Sequence, residues 1–503
     1  MTLLTQLIVA GIAAAGLGRA APLAKPYNTN AVYQWVKHSG QTIKWGPCPD
    51  QFPGTLTCAT FRVPLDWNDI QSRKNETVEL GMVRREAEDK ARRIGYLFVN
   101  PGGPGGQATS TVASRGDSLD PEIRARFDII GLDPRGVGIS TPVQCDPEVF
   151  NRRVKYMPKT EEEYDALVQY NKDLGASCLK KTGRLVEFVD TISAVKDHEA
   201  VRIALGEKAT YLGLSYGTQL FSQYAQLFPD SFRAIVLDGN LQHSQSESSN
   251  LLTESTSYEA TLKQFFDWCA SNDECALQGK DVAAVFKSVR DKAAAAPIPA
   301  PGCDNVSCRS DVTEEDFLFT AQGFIISQRN WPVLGQALLE ASNGNATLVS
   351  EFNQIAVGDA YEDSYLYAGT AIGCQDWAHA STDLADVVEK QNLGAVFSPL
   401  TLGACQSYKL QTQCLGWPAP LSNGPAPVTY KSKVKLLQVN SLYDPSTSYT
   451  WALGLHSEIK NAVLLTRNGS GHTSYLLNGD ATKLTNAYLL NLTLPEPGTI
   501  VNS

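Results

Sequence analysis

Six short apolar runs alternate with helix-forming stretches along this chain, and this rhythm limits the folds open to it. The runs lie at residues 93–100, 127–133, 209–214, 234–238, 434–440 and 461–466. Short, almost continuous apolar runs are typical of strands buried on both faces. Strands that alternate with helices favour an α/β fold, with a mostly parallel sheet covered by helices on both sides. Residues 77–83 alternate in polarity and predict a further strand at an edge of the sheet.

The alternation of predicted strands and helices is interrupted between residues 240 and 428. This segment has a helical character and contains seven of the chain's 11 cysteines. We interpret it as a large, mainly helical cap, inserted before the strand at 434–440. The sheet core is then expected in two parts, residues 21–239 and 429–503.

The N-terminus carries an apolar run from Leu3 to Leu17, followed by small residues around Ala20. This pattern predicts a secretory signal peptide over residues 1–20. The alternatives are a buried helix or a membrane anchor, but the run is short for a membrane span. Since no other stretch is long and apolar enough, we expect no membrane span elsewhere.

The cysteines are consistent with an oxidising compartment. Ten of the 11 fall into close pairs, which favour local disulfides and leave Cys374 over. The spacing typical of a zinc site does not occur, so we expect no metal. The predicted pairs are Cys48/Cys58, Cys145/Cys178, Cys269/Cys275, Cys303/Cys308 and Cys405/Cys414.

Five N-x-S/T sequons accompany the predicted signal peptide. They predict possible N-glycans at Asn75, Asn305, Asn345 and Asn491. The fifth, Asn468, is expected to be unused or to point outward, because it lies four residues before His472. The predicted location is therefore extracellular. The formal net charge of −10 argues against a nucleic-acid partner.

The segment Gly213-Leu-Ser-Tyr-Gly217 places Ser215 between a predicted strand and a predicted helix. A nucleophile raised on a tight strand-to-helix turn needs glycines beside it, because side chains there would clash. The pattern alone also fits a plain glycine-rich turn, but its context favours Ser215 as a nucleophile.

A serine hydroxyl needs a base, and the base needs an orienting acid. Of the six histidines, only His472 follows the last predicted strand in a glycine-rich loop. Asp444 follows the strand at 434–440, and we predict that it orients His472. Its alternative role is to cap the helix that begins near Thr447.

The loop at residues 101–106, Pro-Gly-Gly-Pro-Gly-Gly, is suited to hold an oxyanion. The predicted donors are the backbone N–H of Tyr216 and that of Gly102 or Gly103. A phosphate-binding loop is the rival interpretation. It lacks the Lys-Ser/Thr pair that would follow the glycines.

Six motifs of this chain occur together in one known family. They are Asn100-Pro-Gly-Gly-Pro-Gly105, Asp133-Pro-Arg-Gly-Val-Gly-Ile-Ser140, Gly213-Leu-Ser-Tyr-Gly217, Val236-Leu-Asp-Gly239, Tyr443-Asp-Pro445 and Gly471-His-Thr473. Together they resemble the secreted tripeptidyl aminopeptidase-like and prolyl aminopeptidase family of α/β-hydrolases. Two departures are Pro101, where prolyl aminopeptidases have His, and Pro134, where many relatives have Gln.

The resemblance implies an α/β-hydrolase fold, the triad Ser215, Asp444 and His472, and release of short N-terminal fragments from peptides without a cofactor. An aminopeptidase needs carboxylates to pair with the substrate ammonium. Asp376 and Glu254 are the candidates, although solvated acids are common in such segments. The alternatives are a secreted carboxylesterase or other small-molecule amide or ester hydrolase with the same triad, and a hydrolase-fold binding protein without catalysis.

Overall fold

The computed structural model describes residues 28–71, 75–352, 355–356 and 363–502. The predicted signal peptide at 1–20 lies outside these residues. Among the described helices, none combines the length and the apolar character that crossing a membrane requires.

A ten-stranded sheet forms the centre of the described chain, in the order β1-β2-β3-β5-β4-β6-β7-β10-β11-β12. Neighbours from β5 to β12 in this order pair in parallel, and β1, β2, β3 and β5 pair antiparallel. A separate two-stranded sheet contains β8 and β9. The strands are β1 (Gly46–Pro47), β2 (Thr57–Pro64), β3 (Thr77–Arg85), β4 (Gly95–Asn100), β5 (Phe127–Leu132), β6 (Ala209–Leu214), β7 (Phe232–Asp238), β8 (Ile298–Pro299), β9 (Asp311–Val312), β10 (Leu436–Tyr443), β11 (Ala462–Ser470) and β12 (Ile500–Asn502).

Helices connect the strands and cover both faces of the sheet. The α-helices are α1 (Asn30–Ser39), α2 (Ala108–Arg115), α3 (Pro121–Arg126), α4 (Pro147–Phe150), α5 (Glu161–Thr182), α6 (Thr191–Leu205), α7 (Tyr216–Leu227), α8 (Glu247–Ser271), α9 (Val282–Ala295), α10 (Glu314–Ile325), α11 (Trp331–Ser342), α12 (Thr347–Glu351), α13 (Tyr365–Asp376), α14 (Leu384–Phe397), α15 (Gln406–Gln413), α16 (Tyr449–Glu458) and α17 (Asp480–Asn491).

The core occupies both faces of the sheet. Along β6, Tyr211 belongs to one buried cluster, and its neighbour Leu212 belongs to another on the opposite face. Successive side chains of a strand point to opposite faces, so both faces of β6 are buried. This is the predicted arrangement, and it confirms the mostly parallel α/β fold class.

One strand differs from its prediction. The segment predicted as an edge strand at 77–83 is β3, which lies inside the sheet between β2 and β5. The reason is β2, which extends the sheet beyond β3 and was not predicted.

Between the end of β7 and the start of β10 the chain is mainly helical. Helices α8 to α11 enclose their own hydrophobic cluster, which includes Leu262, Phe286 and Leu338. The cap over 240–428 and the core segments 21–239 and 429–503 remain our proposed division of the chain.

Five disulfides join described cysteines. Four of the predicted pairs are confirmed: Cys48–Cys58, Cys145–Cys178, Cys269–Cys275 and Cys303–Cys308.

The fifth predicted disulfide is wrong. Cys414 is bonded to Cys374, and Cys405 is a buried free thiol. Cys405 and Cys414 flank the eight-residue helix α15. The helical rise places their Cα atoms about 13 Å apart, whereas a disulfide allows at most about 7 Å. Closeness in sequence was misleading here, because a helix separates the two residues.

Candidate active site

Ser215 lies in a sharp turn between β6 and α7. Its backbone has φ 57° and ψ −126°, a conformation that side-chain-bearing residues rarely adopt. The Ser215 N–H donates to the Asp238 carbonyl at 2.9 Å, which ties the turn to the end of β7. Strained residues of this kind cluster at functional sites. The geometry is that of a nucleophile elbow at the carboxyl edge of the sheet.

The glycines beside Ser215 are required by close backbone contacts. A Cβ on Gly213 would lie 2.3 Å from the Gly217 carbonyl oxygen. A Cβ on Gly217 would lie 2.8 Å from the Asn100 carbonyl oxygen, in the strand next to β6. Neither distance is tolerable between non-bonded atoms, so the turn can form only with glycine at both positions.

His472 and Asp444 are brought together, as predicted. The His472 Nδ1 atom lies 3.0 Å from Asp444 Oδ1 and 2.9 Å from Oδ2. The Asp444 carboxylate also accepts the N–H groups of Ser446 and Thr447 at 2.9 and 2.8 Å. The carboxylate is therefore hydrogen-bonded both to the imidazole and to the turn before α16, so capping does not prevent the contact with His472.

The electrostatics of this pair favour its charged form. Burial disfavours the Asp444 carboxylate, but the charge and hydrogen bond of His472 outweigh it and lower the Asp444 pKa. Burial likewise opposes the imidazolium, yet Asp444, with Asp238 and Glu254 further away, raises the His472 pKa above its ordinary value.

The His472 ring lies beside the elbow. A Cβ on Gly239, the residue after Asp238, would be 3.2 Å from His472 Cε1. Asp238 in turn holds the Ser215 N–H. Ser215 is therefore bonded to Asp238, and His472 lies close to the next residue, Gly239, at the end of β7.

The glycine loop after β4 lies against Ser215. A Cβ on Gly102 would be 2.7 Å from the Ser215 Cβ atom, so only glycine fits there. The Gly102 N–H donates to Asn100 Oδ1 at 3.0 Å and is therefore occupied. Within the described chain, the Gly103 N–H donates to no protein acceptor. As the first residue of α7, Tyr216 has no intrahelical acceptor for its N–H.

The two predicted ammonium-binding carboxylates are both buried. Asp376 accepts hydrogen bonds from the Thr191 N–H at 3.0 Å and from Asn423 Nδ2 at 2.8 Å. The Thr191 hydroxyl lies 2.6 Å from the Tyr216 hydroxyl. The Thr191 hydroxyl also donates to Asp376, so Thr191 links the buried Asp376 carboxyl to Tyr216. Burial raises its pKa to about 7.

Glu254 lies near the Asp444 turn. It accepts hydrogen bonds from Gln322 Nε2 at 2.7 Å and from the Ser407 N–H at 2.8 Å. Gln322 also donates to the Pro445 carbonyl at 2.8 Å, which links Glu254 to the residue after Asp444. Burial raises the Glu254 pKa to about 7.

Three further residues at the site carry no sequence prediction. Thr447 donates to Asp444 Oδ2 at 2.9 Å, and its oxygen lies 3.1 Å from His472 Nδ1. Asp238 and Arg467 contact the loop that carries His472. Of the three, only Asp238 could have been noticed from the sequence, since it lies in the Val236-Leu-Asp-Gly239 motif.

Two family models match the chain. The model described as "alpha/beta hydrolase fold" matches residues 96–302. The model described as "TAP-like protein" matches residues 398–500, which include Asp444 and His472.

Curated relatives align over most of the chain. "Serine protease Hip1" of Mycobacterium tuberculosis is 27% identical, covering 91% of each chain. "Tripeptidyl aminopeptidase" of Streptomyces lividans is 27% identical over 85% of this chain and 80% of its own. "Carboxylesterase B" of M. tuberculosis is 27% identical over 84% of this chain and 81% of its own. The chain therefore has the α/β-hydrolase fold and is a serine hydrolase similar to these peptidase relatives.

Proposed function

We propose that this chain is a secreted exopeptidase that releases short N-terminal peptides or amino acids through an acyl-enzyme at Ser215. The observation that carries the proposal is the His472–Asp444 pair, set beside the strained elbow of Ser215. Asp444 fixes the imidazole with Nδ1 facing it, which leaves Nε2 to act on the serine hydroxyl.

The proposed reaction is acyl transfer in two halves. His472 takes the Ser215 proton as the hydroxyl oxygen attacks the scissile carbonyl. The tetrahedral intermediate collapses when the C–N bond breaks and His472 gives the proton to the leaving amine. Water then attacks the ester, again with His472 as base, and releases the carboxylic acid and Ser215.

Two backbone donors are proposed to hold the oxyanion, those of Gly103 and Tyr216. Each such donor contributes about 3 kcal/mol to the transition state. The Gly102 N–H, which shared this prediction with Gly103, is less suited because Asn100 already accepts it. The role of Gly102 is then steric, since it lets the loop approach Ser215 closely.

Recognition of a free amino terminus is proposed for Glu254 rather than Asp376. Glu254 lies near enough to His472 to raise its pKa, and it is linked to the Asp444 turn through Gln322. A substrate ammonium that replaced one of its present donors would gain a charged partner in a buried site. Asp376 is the weaker candidate, because its hydrogen bonds are with Thr191 and Asn423 and none of them links it to the Asp444 turn.

An esterase is the second candidate function. The same triad hydrolyses esters, and one relative is named a carboxylesterase. A hydrolase-fold binding protein without catalysis is the third. It is disfavoured because the elbow and the hydrogen-bonded His–Asp pair are both intact.

Secretion and glycosylation complete the proposal. The five disulfides support an oxidising compartment. Three sequon asparagines, Asn75, Asn305 and Asn491, are exposed and suited to carry glycans. Asn345 is half-buried, and its Oδ1 atom accepts the Thr347 hydroxyl at 2.6 Å, whereas a glycan would be attached at Nδ2. Asn468 is exposed, but its Nδ2 donates to Asn502 at 3.0 Å.

The test combines covalent labelling with substrate profiling. A fluorophosphonate should label the wild-type protein and leave Ser215→Ala unlabelled. A panel of free-amino peptides, their N-acetylated counterparts and p-nitrophenyl esters should then show cleavage of the free-amino peptides. Ester turnover without peptide release would support the esterase. Absence of labelling in the wild type would support the binding protein.

A further inference from the structure

The loop that carries His472, residues 470–475, is held in place by two buried charged side chains from the sheet. We refer to this segment as the His472 loop. Its backbone has positive φ at Gly471 (100°) and at Thr473 (60°), on either side of the histidine. A loop with this irregular backbone cannot satisfy its own polar groups, so its amides and carbonyls need partners from elsewhere.

Asp238 accepts two of the amides of this loop. It ends β7 and has no solvent exposure. Its Oδ2 atom accepts the N–H groups of Ser474 at 2.8 Å and Tyr475 at 2.7 Å. The backbone carbonyl of the same residue accepts the Ser215 N–H at 2.9 Å. Asp238 is therefore bonded both to the nucleophile turn and to the His472 loop.

Arg467 supplies the donors for the carbonyls. It lies in β11 and is also buried. Its guanidinium donates to the carbonyls of Gly471 at 2.9 Å and of Ser470 and Thr473 at 3.2 Å each. It also donates to Ser474 Oγ at 3.0 Å. These carbonyls lie on both sides of His472, so the guanidinium spans the turn in which the imidazole sits.

We propose that Asp238 and Arg467 are positioning residues, which together hold His472 in register with both Asp444 and Ser215. This inference rests on the proposed triad and deepens it. Burying two charged groups carries a large desolvation penalty, so a need for loop stability alone does not explain them. A rigid, planar donor group and a two-oxygen acceptor are, however, well suited to fix several backbone groups at once.

The charges that face His472 come from three elements besides its own loop. Asp444 follows β10, Asp238 ends β7 and Glu254 belongs to α8, and each raises the His472 pKa. Arg467 offsets part of this field, since it interacts with both Asp238 and Asp444. Asp238 therefore has an electrostatic effect on the imidazole in addition to its hydrogen bonds, which a merely structural residue would lack.

The test compares Asp238→Asn and Arg467→Lys with a matched control, Asp197→Asn. Asp197 is also fully buried and pairs with an arginine, Arg135, at 2.7 Å, but it contacts neither Ser215 nor the His472 loop. The readouts are the rate of fluorophosphonate labelling, kcat and KM on a p-nitrophenyl ester, the pH profile and the melting temperature.

We expect labelling and kcat to fall on the order of 10- to 100-fold in Asp238→Asn and Arg467→Lys, with KM nearly unchanged, because displacement of the base slows chemistry rather than binding. The acidic limb of the Asp238→Asn profile should move to lower pH, since one charge that raises the His472 pKa is gone. Asp197→Asn should lose stability but, per folded molecule, keep its labelling rate and pH profile.

Two outcomes would overturn the inference. One is a pair of folded variants that label at the wild-type rate with an unmoved pH profile. The other is an equal loss of rate in Asp197→Asn, which would indicate a general effect of stability. If either variant fails to fold, the other still decides the question. Failure of the proposed triad itself is distinct, because the wild type would then not be labelled at Ser215.

Discussion

The Oδ2 atom of Asp444 lies 2.9 Å from Nδ1 of His472, and the Asp444 carboxylate is completely buried. A carboxylate in this position holds one tautomer of the ring and stabilises the imidazolium that forms during acyl transfer. The same carboxylate caps the turn that contains Thr447. The two roles can be separated, because catalysis requires the charge whereas capping requires only an acceptor.

Asp444→Asn should lower kcat about 10⁴-fold, because an amide can stabilise the wrong tautomer of His472. The cap should survive in part, since asparagine is itself a good capping residue. Initial rates and thermal melting of the purified variant check both expectations. The Asp197→Asn variant controls for the loss of a buried carboxylate. A kcat of Asp444→Asn within a few-fold of the wild-type value would show that Asp444 only caps the turn and has no role in catalysis.

The pH dependence of catalysis should follow His472. The base must be neutral to accept a proton, so kcat/KM should rise with pH through the His472 pKa. Asp444, Asp238 and Glu254 raise this pKa above 6.5, so the midpoint should lie above that value. Glu254→Gln removes one of these charges and should move the midpoint to lower pH.

The Glu254→Gln variant also tests recognition of the amino terminus. If Glu254 pairs with the substrate ammonium, KM should rise for free-amino peptides and stay unchanged for a p-nitrophenyl ester. Parallel titrations of both substrates give the answer. An equal change in KM for the two substrates would assign Glu254 a structural role only.

Stability should be greater at mildly acidic pH than at neutral pH. Burial raises the pKa of Asp133 and Asp238 to about 6, and that of Glu254, Glu315 and Asp376 to about 7. A carboxyl group with a raised pKa binds its proton more tightly in the folded chain. Its stabilising contribution is complete below the unfolded pKa, near 4, and is lost as the pH rises through 6 to 7.

Thermal unfolding at pH 5 and pH 8 measures this effect, and the melting temperature should be higher at pH 5. His472 acts in the same direction, because its folded pKa is also raised. Asp444 acts in the opposite direction, because its pKa is lowered. A higher melting temperature at pH 8 would mean that water or rearrangement relieves the burial of these carboxyl groups.

Much of the site could be predicted from local sequence patterns. Ser215 and His472 are marked by glycines and by neighbouring strands, since a sharp turn and a loop over the sheet edge impose local requirements. The role of Asp238 depends instead on contacts with a loop that is 236 residues away at Ser474. Arg467 is close to the same loop in sequence, but its role depends on the folded backbone conformation of the loop, which no local pattern encodes. The burial of Glu254 and Asp376 likewise arises only when the helical segment packs against the sheet.

Gly102→Ala should inactivate the enzyme. The added Cβ would lie 2.5 Å from the Leu214 carbonyl oxygen and 2.7 Å from the Ser215 Cβ, and φ at Gly102 is 94°. The glycine loop must then move away from Ser215, which separates the Gly103 N–H from the oxyanion. Loss of one such donor costs about 100- to 1000-fold in kcat.

Gly323→Ala is the matched control for this substitution. Gly323 lies within α10, and a Cβ there would contact nothing within 4 Å. Alanine should therefore leave kcat unchanged and add about 0.5–1 kcal/mol to stability. Activity in Gly102→Ala close to that of Gly323→Ala would show that the loop does not act in catalysis.

The cysteine pairing predicts a specific pattern of alkylation. Cys405 is buried and its thiol pKa is raised, so it should react only after denaturation, whereas Cys374 and Cys414 should appear in one disulfide-linked peptide. Mass spectrometry of the alkylated, unreduced digest identifies both. A Cys405–Cys414 peptide with free Cys374 would contradict this pairing.

The Cys374–Cys414 bond should also support the active site. Cys374 belongs to α13, the helix that begins with Tyr365 and contacts the glycine loop, where a Cβ on Gly105 would lie 2.4 Å from the Tyr365 carbonyl oxygen. Cys374→Ser should lower stability by about 2–4 kcal/mol and also reduce kcat, because α13 then constrains the loop less firmly. Cys405→Ser breaks no disulfide and should leave kcat unchanged. Equal kcat in both variants would show that the loop keeps its position without the bond.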